Sequence, residues 1–247
     1  MDEPARQILI DLQRVSDERR QRAAVPGLSQ RVQALKAYQQ ARFRRTYADL
    51  LAAPRYREAA LFFLHELYGP GDFTRRDDQF ARIVGPMVRL FPAGIVATVQ
   101  DLAALHALSE QLDTAMAAQL PDDALDAAAY TRAWQAVGRA GDRDRQIQLL
   151  LHVGQSLDRF TRSAVLRHGL RAMRSPARAA GLSELQAFLE AGFDTFRAMG
   201  GAQEFLTLVR QREQRLCQAL FHPEAVARVT GAPLVTPDAT EPLGQLP

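Results

Sequence analysis

The sequence predicts an all-α fold, a compact bundle of about eight to ten helices with an N-terminal helical arm. Three observations carry this. Ala and Leu abound while β-branched runs are nearly absent, a composition that favours helix over strand. Apolar residues recur at three- and four-residue spacing through the long segments, the period of one helix face. Gly and Pro gather at the breaks between those segments, where they stop helices. With 247 residues, 47% of them hydrophobic, the chain can bury a large core.

The elements follow in order. Residues 5 to 23 form a first helix with Ile8, Leu9, Leu12 and Val15 in one stripe. Its second half, Asp17 to Arg22, is wholly polar and is expected to reach into solvent. Val25-Pro26-Gly27 breaks it. A second helix, about 29 to 53, carries Val32, Leu35, Phe43, Tyr47 and Leu50. These two helices make an arm, residues 1–53, packing on a core domain of residues 54–221.

The core is organised around a hairpin, Pro54 to Pro92. Leu61, Phe62, Phe63 and Leu64 are consecutive, so their helix is apolar on more than one face and central. Gly69-Pro70-Gly71 stops it. Thr74 and Asp77 have the spacing of a capping box for the next helix, whose interior Gly85-Pro86 is expected to kink it. The linker residues Tyr68, Asp72, Arg75, Arg76 and Asp77 read as a polar knot that holds the hairpin, with Arg75 and Arg76 the candidates if it meets an anion instead. A long helix to about Leu120 follows, then a shorter one through Tyr130 and Trp134. The next contains Ile147, Leu150 and Gly154, where the glycine suits close helix approach. Ser183 is placed to cap the helix of Phe188, Phe193 and Phe196, and a last helix carries Phe205 to Leu220. Residues 222–247, rich in Pro, Gly and Thr, read as a disordered tail.

Charge narrows the function classes. There are 31 Lys and Arg against 28 Asp and Glu, a net charge of only +3. That balance argues against nucleic acid as a partner, and Lys36 is the one lysine. No apolar run reaches the roughly 20 residues that a membrane-spanning helix needs, although peripheral membrane contact stays open. The acidic, short-run N-terminus does not have the form of a signal peptide. The single cysteine, Cys217, allows no internal disulfide, and on an apolar helix face it reads as a small core residue. The cytoplasm is the expected location.

Catalytic signatures are missing: no nucleophile elbow, phosphate loop or dinucleotide fingerprint occurs. His65-Glu66 lacks the second histidine of a zinc-protease helix, and no histidine pair has metal-ligand spacing, so no metal and no cofactor is expected. A lone histidine inside a helical pocket can hold haem iron. His106 and His152, flanked by apolar residues on long helices, are the candidates, against the plainer reading of structural histidines. Arg167, Arg171 and Arg174 share a helical face, with Arg159, Arg162 and Arg178 nearby. They form a candidate surface for an acidic partner or anion, or else a solvated face paired with neighbouring helices.

The segments RRTYADLLAAPRYREAALFFLHELYGPGDFTRRDDQFARIVGPMVRLFP and SPARAAGLSELQAFLEAGFDTFRAMGGAQEFL resemble a proteobacterial family of hypothetical all-helical proteins. The motif FFL-x-x-LYGP-x-DF-x-x-RD carries the likeness, which runs from about Arg44 to Phe221. It implies a bacterial, cytoplasmic helical protein and transfers no catalytic or binding residue. The leading functional expectation is a non-enzymatic protein-binding or assembly module, with a protein partner or a second copy of the chain on the arm or the Arg face. The alternative is a pocket for haem or an apolar ligand between Phe62-Phe63 and the Phe188–Phe196 helix. A third reading is an enzyme without a recognisable motif.

Overall fold

The computed structural model describes residues 2–67, 71, 73–121, 125–231 and 241–247. Among them there is no strand, so the all-α expectation holds. The helices are α1 (Glu3–Ala23), α2 (Leu28–Thr46), α3 (Ala48–Ala52), α4 (Arg57–Phe62), α5 (Thr74–Leu90), α6 (Ala93–Ala117), α7 (Ala127–Val137), α8 (Ala140–Thr161), α9 (Ala164–Ala172), α10 (Arg174–Ala179), α11 (Ser183–Ala198), α12 (Gln203–Phe221) and α13 (Ala225–Thr230). The second predicted helix breaks at Tyr47 into α2 and α3.

α1 packs on α5 and α6, α6 on α8, and α8 on α11 and α12. The buried apolar residues fall into two clusters. The larger joins the hairpin residues Phe63 and Leu64 to Leu112, Phe196 and Phe205; the smaller holds Ile8 and Leu12 of α1 with Val84, Met87 and Ala103. Gly154 does allow close approach: a Cβ there would stand 2.6 Å from Leu206 Cδ2 on α12. Directly after α4 the backbone widens into a π-helical turn, Phe63–Leu67. Gln40 of α2 donates to the Leu64 carbonyl there (3.1 Å), so this irregular turn is supported from a neighbouring helix.

Four expectations change. The polar end of α1 reaches into solvent only in part: Arg20 and Gln21 are exposed, but Arg19 and Arg22 turn inward to acids on α5 and α6. No capping box forms at α5: its N-cap is Phe73, without a side-chain cap bond, and Asp77 is engaged by Arg19 and His106 instead. Nor does Ser183 cap α11. The buried Gln79 of α5 takes that role, its Oε1 accepting from Leu185 N at 3.0 Å. Pro86 lies inside α5. Tyr68 and Asp72 of the linker, and Gly69-Pro70 of the expected helix stop, lie outside the described residues.

The fourth change concerns the C-terminal segment. Disorder from residue 222 does not describe α13 or residues 241–247. Leu243 and Leu246 are buried in the larger cluster. Arg45 donates to the Leu246 carbonyl (2.6 Å), and Tyr38 OH to the Pro247 carbonyl (3.4 Å). Local composition missed this because two leucines suffice to dock a segment when a groove awaits them. A chain ending at Gly231 is therefore expected to lose about 2 kcal/mol, the burial of two leucines partly offset by the ordering entropy of the segment. Urea denaturation of the shortened chain checks this; an unchanged midpoint would show the docked segment to be energetically idle.

Candidate functional site

A cavity of about 290 Å³ lies between the two apolar clusters and takes wall residues from both. α6 is its spine. Along one stripe of that helix, Ile95, Val99 and Leu102 give way to His106, Glu110 and Asp113, all of which line the space. At 1.5 Å rise per residue, this stripe spans roughly 27 Å. Phe80, Ile83 and Met87 of α5 and Leu185, Phe188 and Leu189 of α11 complete the apolar part. Phe91 and Leu189 both line the cavity and are exposed, so its mouth lies between the α5–α6 corner and α11.

The inner part is charged and ordered by ion pairs between helices. Glu110, 2% exposed, accepts from Lys36 of α2 (2.8 Å) and from Arg22 (2.6 Å) and Arg19 (3.3 Å) of α1. Burial pushes its pKa up, but Lys36, Arg22 and Arg19 outweigh that and hold it at about 2. Asp77 receives Arg19 Nη1 and His106 Nε2, each at 2.9 Å. For Asp77 too, burial acts upward and is overcome, here by the His106 bond and the arginines, so its carboxyl sits below the usual range. Arg42 donates to Glu213 Oε1 (2.6 Å), which also accepts from Tyr47 OH (2.7 Å). Arg76 pairs with Glu66 (3.0 Å) and lies between the Phe73 and Phe188 rings at 4.1 and 4.3 Å.

Two groups differ from this well-paired set. Asp113, one turn beyond Glu110, accepts from Gln39 Nε2 (3.1 Å) but is 4.0 Å from Lys36. Burial dominates there and raises its pKa. Arg143 of α8 is 4% exposed and lines the cavity. Its bonded acceptors are neutral: Gln146 Oε1 (3.2 Å) and Met116 Sδ (3.0 Å). Its guanidinium lies over the Trp134 ring at 3.9 Å. Among the described residues no carboxylate is within ion-pair distance of it, and its Nε has no hydrogen-bond partner; neither has Trp134 Nε1.

The residues singled out in the sequence are distributed unevenly. His106, Arg76 and Asp77 line the cavity; His152 is exposed on α8, and Arg75 pairs with Glu184 at the surface. His106 Nε2 must carry a proton to donate to Asp77, because an ionised carboxylate only accepts, so that nitrogen is engaged rather than open to iron. Among the described residues no group of three His, Cys, Asp or Glu could hold a metal ion. The expected pocket between the phenylalanines is filled: Phe62 stacks on Phe188 at 5.6 Å, and Phe63 meets Phe196 at 6.2 Å. The cavity lies beside this stack, with Phe188 in its wall. Cys217 is buried, lines the inner cavity, and burial raises its thiol to about 11.

Half of the six arginines of the Arg face have an acid within the chain. Arg174 Nε reaches both Glu190 oxygens (2.7 and 2.9 Å), Arg171 is 3.6 Å from Asp194, and Arg162 donates to Asp158 (2.8 Å). Arg167 is half-buried, while Arg159 and Arg178 are exposed. Sequence reasoning missed Lys36, Glu110, Asp113 and Arg143. A signal was present: Glu110 and Asp113 continue the apolar stripe of α6 at helical spacing, which places charge on a face turned inward.

Fold and site together define an all-α protein with a cavity that is apolar at the mouth and charged within. The chain belongs to the family described as a domain of unknown function, DUF8198, whose model matches residues 18–227. Every cavity-lining residue except Leu12 falls inside that match. No curated protein and no solved structure matches the chain. Among the described residues no helix is long and apolar enough to cross a membrane.

Proposed function

We propose that this protein binds a small, mainly apolar molecule in the cavity along α6, in the bacterial cytoplasmic setting that the sequence resemblance implies. The observation that carries the reading is the cavity itself: about 290 Å³ of space with an exposed apolar mouth and a charged inner end. Ligand sites are concave, mostly apolar and furnished with a few placed polar groups. A well-packed core has few voids larger than a water molecule, so this space stands apart from ordinary packing.

The other reading, a protein-binding or assembly module, is supported by α9, which has no buried residue, and by the exposed Val165 and Met173 beside the arginines. It carries less, since acids of this chain already answer Arg162, Arg171 and Arg174. Against a haem pocket, His106 is bonded to Asp77 and His152 is exposed.

Trp134, the one tryptophan of the chain, lines the inner cavity and reports on occupancy. Titration with 1-decanol is expected to change its emission saturably. Val99→Phe, which adds a ring to the apolar wall, is expected to weaken that binding at least tenfold while leaving the melting temperature unchanged or higher. A linear, unsaturable response in the native protein, or equal affinity in the variant, would count against the reading.

A further inference from the structure

We infer that the molecule held in this cavity is a carboxylate, its head group paired with Arg143 at the inner end and its apolar body lying along the Ile95–Leu102 side of α6. This rests on the pocket reading above and specifies its ligand class.

The argument is one of uncompensated charge. Four other cationic or protonatable side chains line the cavity, and each has an acid at ion-pair distance: Lys36 has Glu110, which it shares with Arg19 and Arg22, Arg42 has Glu213, Arg76 has Glu66, and His106 has Asp77, which it shares with Arg19. Arg143 has none at ion-pair distance among the described residues, only an amide oxygen and a thioether sulfur. A guanidinium cannot shed its proton, and a buried charge without a bonded counter-ion is costly to hold. The arrangement becomes favourable when an anion arrives from outside. Asp113, the acid on the same wall, bonds to Gln39 and forms no ion pair with Arg143.

Chemistry and position choose a carboxylate. A single guanidinium offers a planar fork that matches two carboxylate oxygens, whereas a doubly charged phosphate would call for a second free cation, and Lys36, Arg42 and Arg76 are engaged. The walls toward the mouth, among them Val99, Leu102, Phe80 and Leu185, are apolar, so the remainder of the ligand is hydrocarbon.

The test compares three probes of equal chain length, decanoate, 1-decanol and decylamine, by calorimetry and Trp134 emission on the full chain. In the native protein decanoate is expected to bind at least tenfold tighter than 1-decanol, and decylamine more weakly than either. Arg143→Gln should abolish the preference for decanoate while 1-decanol still binds; Arg143→Lys, which keeps the charge, should retain the order of the three. Saturable 1-decanol binding with no gain for decanoate would overturn the carboxylate inference and leave the pocket reading standing. Failure of all three probes to saturate would overturn both. A preference that survives Arg143→Gln would remove Arg143 from the head-group role. Should that variant not fold, the order of the three probes on the native chain still decides for or against an anionic head.

Discussion

Glu110→Ala is expected to destabilise the fold by about 3–5 kcal/mol at neutral pH, the cost of leaving buried charge without its partner. Three cations from two helices converge on this one carboxylate: Arg19 and Arg22 of α1 and Lys36 of α2. All three side chains are mostly buried; without the acid Arg22 loses the carboxylate it pairs with and Lys36 keeps only Asp113 at 4.0 Å, while Arg19 retains Asp77. The same carboxylate gives the stability a pH dependence of definite sign. Its pKa falls from 4.5 to about 2 on folding, so its contribution is fully present above pH 4.5. It is lost as the pH drops through that window, about 3 kcal/mol in all. Urea midpoints of the native chain and Glu110→Ala at pH 7 and pH 2 check both parts. The gap between them should narrow at low pH. A cost below about 1 kcal/mol at pH 7 would mean that the three cations find water or other acids when Glu110 is gone.

Phe205→Ala is expected to cost a similar amount, about 3–5 kcal/mol, by a different route. Phe205 is fully buried on α12 and meets Phe63 edge-on at 5.3 Å, with Tyr56 at 6.1 Å. It therefore joins α12 to the helix and π-turn of the hairpin. Its removal opens space that the rigid aromatic neighbours cannot close, and it forfeits the edge contact, worth about 0.5–1.5 kcal/mol beyond area. Phe205 does not line the cavity, so 1-decanol affinity should be unchanged in the folded variant. A loss of under about 1.5 kcal/mol would show that α12 moves in to fill the gap. A large loss of affinity would show that the hairpin core and the cavity are coupled.

These two variants probe features of unequal legibility. Phe205 and its neighbours could be read from apolar spacing on the last helix, and burial followed from hydrophobicity alone. Glu110 was passed over, because a charged residue in a helical stripe reads as the edge of that stripe until its cover is known. Arg19 and Arg22 were read the opposite way, as solvated, because local polarity cannot reveal acids on a helix far along the chain. The hairpin linker drew attention by its density of polar residues, and part of it does reach the cavity: Arg76 and Asp77 line it. His106 lines it as well; of the four remaining linker and histidine candidates, Arg75 and His152 are at the surface, and Tyr68 and Asp72 lie outside the described residues.

What the sequence by itself determined is the helical character of the chain, the position of most breaks and the apolar face of each long helix. Those properties are set within a few residues, by backbone preference and by the three- to four-residue spacing that makes one face. Only the tertiary structure decided which polar residues leave water and whom they meet. The bonds from Lys36 and Arg19 to Glu110 span 74 and 91 residues, and the missing acid beside Arg143 becomes visible only when α6, α7, α8 and α12 are brought together. The cost or benefit of a charge depends on what surrounds it, and those surroundings are made by chain segments that no local pattern connects.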